Sequence, residues 1–186
     1  MFAKLLDDNF TNVAVEPSLI PLTGEVLSKS ANVSDEARLD ISARGFWQKY
    51  EMAFFDVRVF NPFAKSYQNQ TLRAAFVANE KEKKRSYNQR IIQIEQGSFT
   101  PLVFCAYGGC GRENDHFISH LVNHIAQKRD LPTSTIMNYV RTKISFALTR
   151  SLVNCVRGTR SRFRQRQAVV NTNDILISDE LSNMRV

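Results

Sequence analysis

Asp40, Asp56 and Arg58 carry the chemistry that the sequence offers most plainly. They lie in RLDISARGFWQKYEMAFFDVRVF, the stretch from Arg38 to Phe60. In its second half Phe55, Val57 and Val59 alternate with Asp56 and Arg58. A strand has a side-chain period of two, so Asp56 and Arg58 share one face and the apolar residues share the other. In its first half Leu39, Ile41 and Ala43 alternate with Asp40, Ser42 and Arg44. Two adjacent strands that each bury one face then present Asp40, Asp56 and Arg58 together. Two carboxylates and a cation so placed can bind a divalent metal and a phosphate. The competing reading of Asp56 and Arg58 is a salt bridge on a solvated sheet face.

The elements that must position these residues follow from pattern. Gly45 and the polar Gln48 to Glu51 join the two strands, and Asn61-Pro62 ends the second. Met1 to Phe10 reads as the end of a helix, Val13 to Leu19 as a short strand and Pro21 to Ser34 as a loop. Gln70 to Ile92 predicts a long helix with Leu72, Ala75, Phe76 and Ile91 on its apolar side. Its charged middle, Asn79 to Arg85, reads mostly as a solvated face. Ser98 to Ala106 predicts a buried strand, although Pro101 argues for starting the strand proper after it. Gly108-Gly109-Cys110-Gly111 turns into a helix from Arg112 to Lys128. A glycine turn before a helix can cradle phosphate, but a plain tight turn is the stronger reading here.

On that helix His116, His120 and His124 recur every four residues, with Cys110 nearby. The outer two are too far apart to share one ion, and no full zinc ligand set is defined. A last helix, Ile136 to Val156, offers Ile136, Val140, Ile144, Ala147, Leu148, Ser151 and Leu152 as a core face. Phe46 and Trp47 read as core, and Glu16, Glu36 and Glu95 as surface or turn residues. The sum is an α/β domain with a small mixed sheet flanked by helices.

The chain has 186 residues, 43% hydrophobic and 23% charged, which suits one globular domain over residues 1–158. Residues 159–186 read as a basic, flexible C-terminal tail. Three cysteines without a CxxC pair argue against a disulfide framework and for an intracellular setting. No long apolar run predicts a transmembrane helix, and the N-terminus does not read as a signal peptide. The net charge is +7, and Arg141 to Arg166 holds eight Lys and Arg with no Asp or Glu. A polyanion is the partner this charge predicts, DNA or RNA first and an acidic membrane second, with a solubilising basic tail as the competing reading. The reading taken is DNA, with RNA possible and no membrane. Arg157, Arg160, Arg162, Arg164 and Arg166 are expected to contact the nucleic-acid backbone.

The element order, with Asp40 in one strand and Asp56-Val57-Arg58 in the next, resembles the PD-(D/E)XK restriction-endonuclease-like fold. That core is helix, three strands, helix, strand, here with C-terminal helices added. Its second strand brings an Asp and its third brings Asp or Glu, any residue, then Lys. Arg58 stands where the pattern has Lys. From about Ala3 to Arg160 the chain also resembles a group of uncharacterised mobile-element proteins of animal genomes. These lie in or beside reverse-transcriptase reading frames of retrotransposons. The matching stretches include PLTGE from Pro21, DEARLDISARGFW from Asp35, AFFDVRVFNPFAKSY from Ala53, NEKEKKRSYNQRI from Asn79 and KISFALTRSLVNCVRG from Lys143.

The resemblance implies a Mg²⁺- or Mn²⁺-dependent DNA endonuclease, or its inactive remnant, with a nuclear location. Asp40 and Asp56 would bind the metal with the Val57 carbonyl, and Arg58 would hold the phosphate. A guanidinium stays protonated and cannot act as a base. Lys81 or Lys84, from the following helix, is expected to supply that role. Members of the group carry a longer first helix with a glutamate, so the chain from MFAKLL is expected to lack most of that helix. Nucleases that cut both strands often pair, which leaves a homodimer open. Two other readings stand beside this one: a nucleic-acid-binding module without catalysis, and a protein-interaction domain of a mobile-element product.

Overall fold

Nine residues, Met52–Phe60, form the central strand, β3, because its odd positions are apolar and its even ones face a partly polar helix. The structure, a computed structural model, describes residues 1–157. Before β3 come helix α1 (Phe2–Asp7), strand β1 (Thr11–Val15) and strand β2 (Ile41–Arg44). After it come helix α2 (Leu72–Arg90), strand β4 (Ser98–Cys105), helix α3 (Arg112–Arg129) and helix α4 (Thr133–Arg157). A 3₁₀ turn at Lys65–Tyr67 precedes α2, and a π-helical turn at Ile91–Glu95 follows it. The chain divides into a compact unit over Met1–Thr149 and a second over the residues from Arg150 on. The first holds the whole sheet; of the second, only residues 150–157 are described.

The strands form one sheet in the order β1-β2-β3-β4. The first three are mutually antiparallel, and β4 runs parallel to β3. The protein is therefore an α/β domain with a four-stranded mixed sheet flanked by helices. On one face Ile41, Ala43, Phe55, Leu102 and Phe104 pack against α1, α3 and the start of α4. Phe46, Phe55 and Phe117 stack and cross at its centre, with ring centroids 4.8–5.0 Å apart. Each such buried ring stabilises the fold by roughly 1.5–3 kcal/mol. On the other face Phe60, Val103 and Cys105 meet Ala75 and Phe76 of α2. Among the described residues no helix is long and apolar enough to cross a membrane.

The structure departs from the sequence reading at several points. β1 is Thr11–Val15 rather than Val13 to Leu19, because Glu16 takes a left-handed φ of 51° and breaks the strand. Leu39 does not share a face with Ile41. It joins Leu19, Phe54 and Phe99, because β2 starts only at Ile41 and the chain is irregular just before it. Pro101 lies inside β4, opposite Asp56. β4 is an edge strand, where the missing N–H of proline is tolerated. Leu72 is exposed on α2, and Ala147 and Ser151 are exposed on α4, where Ile136 and Val140 are the buried ones among the described side chains.

The three histidines pack against aromatic rings. His124 stacks on Phe10, His116 and His120 lie against Trp47, and His120 Nε2–H donates to the Phe46 carbonyl. Burial holds His120 below its ordinary pKa, which favours the neutral ring. All three cysteines are free thiols.

Candidate functional site

The site forms where β2 parts from β3. Ile41↔Phe55 is the last pair of their ladder. One residue earlier, Asp40 takes over the edge of β3. Its N–H donates to Phe55 O at 3.1 Å, and its Oδ2 accepts the Val57 N–H at 2.6 Å. Asp40 thus grips the backbone on both sides of Asp56. Along a strand, the N–H and C=O of one residue point the same way. The Val57 carbonyl therefore points toward Asp40, past the end of the β2 ladder.

Asp56 and Arg58 project from the face of β3 that α2 covers. Asp56 is only 7% exposed. Its Oδ2 lies 2.7 Å from Lys83 Nζ on α2. Arg58 Nη1 lies 2.8 Å from Glu82 Oε2, one residue earlier on the same helix. The cross-face Asp56–Arg58 salt bridge does not form; α2 supplies a separate partner to each. Burial pushes the Asp56 carboxyl above the ordinary carboxylate range, and the negative charge of Asp40 adds to that. Lys83, and to a lesser degree Arg58, pull the other way.

Of the two lysines expected beside the aspartates, neither is there. Lys81 is exposed, about 200° around α2 from Lys83. Lys84 Nζ instead pairs with Glu113 Oε1 of α3 at 2.7 Å. Lys83 was legible in the helical phase. Ala75, Phe76, Asn79, Glu80 and Arg90 are all buried, and steps of three or four carry that face through Lys83. Arg157 is exposed on α4, and Arg160, Arg162, Arg164 and Arg166 lie outside the described residues.

The glycine turn before α3 meets a carboxylate of the chain itself. Glu80 Oε1 accepts the Glu113 N–H in the first turn of α3 at 3.2 Å. Burial raises the pKa of Glu80. Cys110 Sγ–H donates to Asp115 Oδ1 at 3.0 Å, and burial pushes this thiol up to about 12, far from a reactive thiolate. Glu95 Oε1 accepts the Ile20 N–H at 2.7 Å and so ties down a loop.

For a divalent cation the available donors are the carboxylates of Asp40 and Asp56 and the Val57 carbonyl. They are oxygen donors on neighbouring residues of β3 and the chain beside it, the donor type that suits a hard ion. Among the described residues no group of three or more His, Cys, Asp or Glu is placed to hold a metal ion. Two carboxylates with a carbonyl are fewer protein donors than a dedicated metal cage has, yet they suit Mg²⁺, which keeps several waters. No protein-family model, no curated protein and no solved structure matches the chain.

Proposed function

We propose that the chain is a metal-dependent DNA endonuclease of the PD-(D/E)XK pattern. The observation that carries this reading is Asp56, sunk under α2 with Lys83 upon it and Asp40 gripping β3 on either side. The order helix, three strands, helix, strand, with β4 parallel to β3, supports it as well. Mg²⁺ or Mn²⁺ held by Asp40, Asp56 and the Val57 carbonyl would polarise the scissile phosphate and lower the pKa of an attacking water.

The chain's own groups account for the rest. Asp40 fixes the strand that carries Asp56. The carboxylate of Asp56 holds the Lys83 ammonium in place without intervening water. A phosphodiester brought to the partly exposed rim of this face would meet two cations, Lys83 and Arg58, which stabilise the charge that grows in the transition state. The Arg58–Glu82 pair is largely exposed on the Glu82 side, so it is weak enough to yield Arg58 to a phosphate. A mobile-element origin, a nuclear location and a homodimer for cutting both strands belong to the same reading and rest on the resemblance alone.

The test is plasmid nicking with Mg²⁺ or Mn²⁺ by the chain and its Asp56→Ala and Lys83→Met variants. Nicking that both substitutions abolish is the expected result. Equal nicking by all three would sink the assignment. A second reading, a nucleic-acid-binding module without catalysis, is favoured by the small donor set. It predicts DNA retardation in gels with no nicking in Mn²⁺.

A further inference from the structure

The carboxyl ends of β3 and β4 lie side by side. Phe60↔Cys105 closes their register, and Ala106 N–H donates to Phe60 O at 2.9 Å. Each strand then runs into a short loop, and each loop lifts one aromatic ring into solvent. Phe63 is 73% exposed and Tyr107 is 65% exposed. Their rings meet edge to face, with centroids 5.3 Å apart and planes at 70°. A lone exposed aromatic is ordinary. Two from different loops that hold each other and leave their outer faces in water form a surface with a shape.

That shape is held by the backbone beneath it. Asn61 Oδ1 accepts the Phe63 N–H at 3.0 Å, and Asn61 O accepts the Ala64 N–H at 3.1 Å. Beyond β4, Cys105 O accepts the Gly108 N–H at 3.0 Å, and Cys105 N–H donates to Gly109 O at 3.1 Å. Gly108 and Gly109 take φ of 100° and 83°, which side chains resist. Binding to these rings therefore orders little that is not already ordered.

Along the two loops themselves the sequence carries charge of one sign, and the nearest carboxylates, Glu80 and Asp115, are taken up by the Glu113 N–H and the Cys110 thiol. From Val57 to Asn79 there is no Asp or Glu, and Arg58, Lys65 and Arg73 fall in that stretch. From Gln96 to Arg112 there is again no acid. Lys65, Arg73 and Arg112 are exposed. An exposed aromatic pair with the exposed Lys65 two residues beyond Phe63 and Arg112 five beyond Tyr107 matches a single strand, whose bases stack while its phosphates seek positive charge.

We infer that Phe63 and Tyr107 form a stacking platform for an unpaired base of a single-stranded or locally opened DNA. This deepens the nuclease reading and rests on it for the fate of the strand. Asp56 lies four residues before Phe60, about 13 Å along β3 from the end at which the loop to Phe63 begins. The platform selects unpaired substrate, because a base inside a duplex has no free face to offer.

The experiment is fluorescence-anisotropy binding in EDTA, where no metal-dependent cutting occurs. The probes are a labelled dT strand of about twelve nucleotides, an abasic strand of equal length and a blunt-ended duplex of two annealed strands. The Phe63→Ala/Tyr107→Ala variant is expected to bind the dT strand about tenfold more weakly or worse. Its affinity for the abasic strand and the duplex should stay within about twofold of wild type. Phe146→Ala, which removes a ring 71% exposed on α4, serves as a control and should change nothing. Unchanged dT affinity in the double variant overturns the platform. So does an equal loss on the abasic strand, or an absence of dT binding by wild type at low salt. Plasmid nicking is scored separately. Nicking with unchanged dT affinity sinks the platform alone, and platform binding without nicking sinks the nuclease reading alone.

Discussion

Lys83 Nζ stands 2.7 Å from Asp56 Oδ2, and this contact joins the central strand to the helix that covers it. The carboxylate is nearly buried, and a buried charge is tolerated only with a partner. Lys83→Met is therefore expected to lower stability by about 2 kcal/mol, since it strands the carboxylate under α2. Adding Asp56→Asn should restore most of that loss. Urea unfolding of both variants decides it. An equal deficit in the two would mean that the loss does not come from the stranded Asp56 carboxylate.

The titration of Asp56 follows from the same geometry. Its carboxyl is raised above its ordinary 3.8, first by burial, while Lys83 opposes the rise and Asp40 adds to it. The folded state thus keeps a proton that the unfolded chain has released. The stability from this proton is fully present below about 3.8 and is lost as pH rises through the higher folded value. In carbon-13 NMR titration, Lys83→Met should move the Asp56 midpoint further up, and Asp40→Asn should move it down. On the proposed nuclease reading nicking needs the ionised form, and it should fall away with falling pH at a value above the ordinary carboxylate range. A midpoint indifferent to both substitutions would rule out the proposed coupling.

How much of this was legible depends on which periodicity stays unbroken. The alternation around Asp56 and Arg58 holds for the length of β3, so their common face could be read directly. The alternation around Asp40 assumed a continuous ladder. The chain departs from it just before Ile41, and that irregularity carries Leu39 to the other cluster while the Asp40 carboxylate turns onto the Val57 amide. No single-residue propensity marks such a departure. Lys83 was missed for another reason. The run from Asn79 to Arg85 is polar enough to suggest a solvated face, yet the inner face of α2 is itself polar. Asn79, Glu80 and Arg90 are all buried there. Counting helical turns from Phe76 finds that face where composition hides it.

Arg90 tests how the loop ahead of Asp40 is held. It is fully buried, and it is the largest such side chain among the described residues. Its Nη1–H groups donate to Asn32 O at 2.9 Å and Ser34 O at 2.8 Å, and Nη2–H donates to Ile20 O at 2.8 Å. One side chain of α2 thereby ties down both ends of a long irregular segment. Arg90→Met should destabilise by about 3 kcal/mol, because it leaves three carbonyls without their donor. Arg90→Lys should recover little, since one ammonium cannot reproduce the planar fork. Hydrogen exchange should show residues 20–34 losing protection before the sheet does. Uniform loss of protection would show that Arg90 supports the fold at large.

Gly111 and Glu80 should prove non-additive. A Cβ at Gly111 would land on the Glu80 carboxylate, at the point where Glu80 Oε1 accepts the Glu113 N–H. Glu80 is nearly buried and stands at the positive end of the α3 dipole, which favours its charge there. Gly111→Ala must push that carboxylate away, and overpacking of this kind costs about 1–3 kcal/mol. Once Glu80 is truncated to alanine the obstacle is gone. The double variant Gly111→Ala/Glu80→Ala should then be no less stable than Glu80→Ala alone, a coupling that a double-mutant cycle in urea measures. Additive losses would place the strain in the backbone of the turn, and the glycine would be required whatever residue faced it.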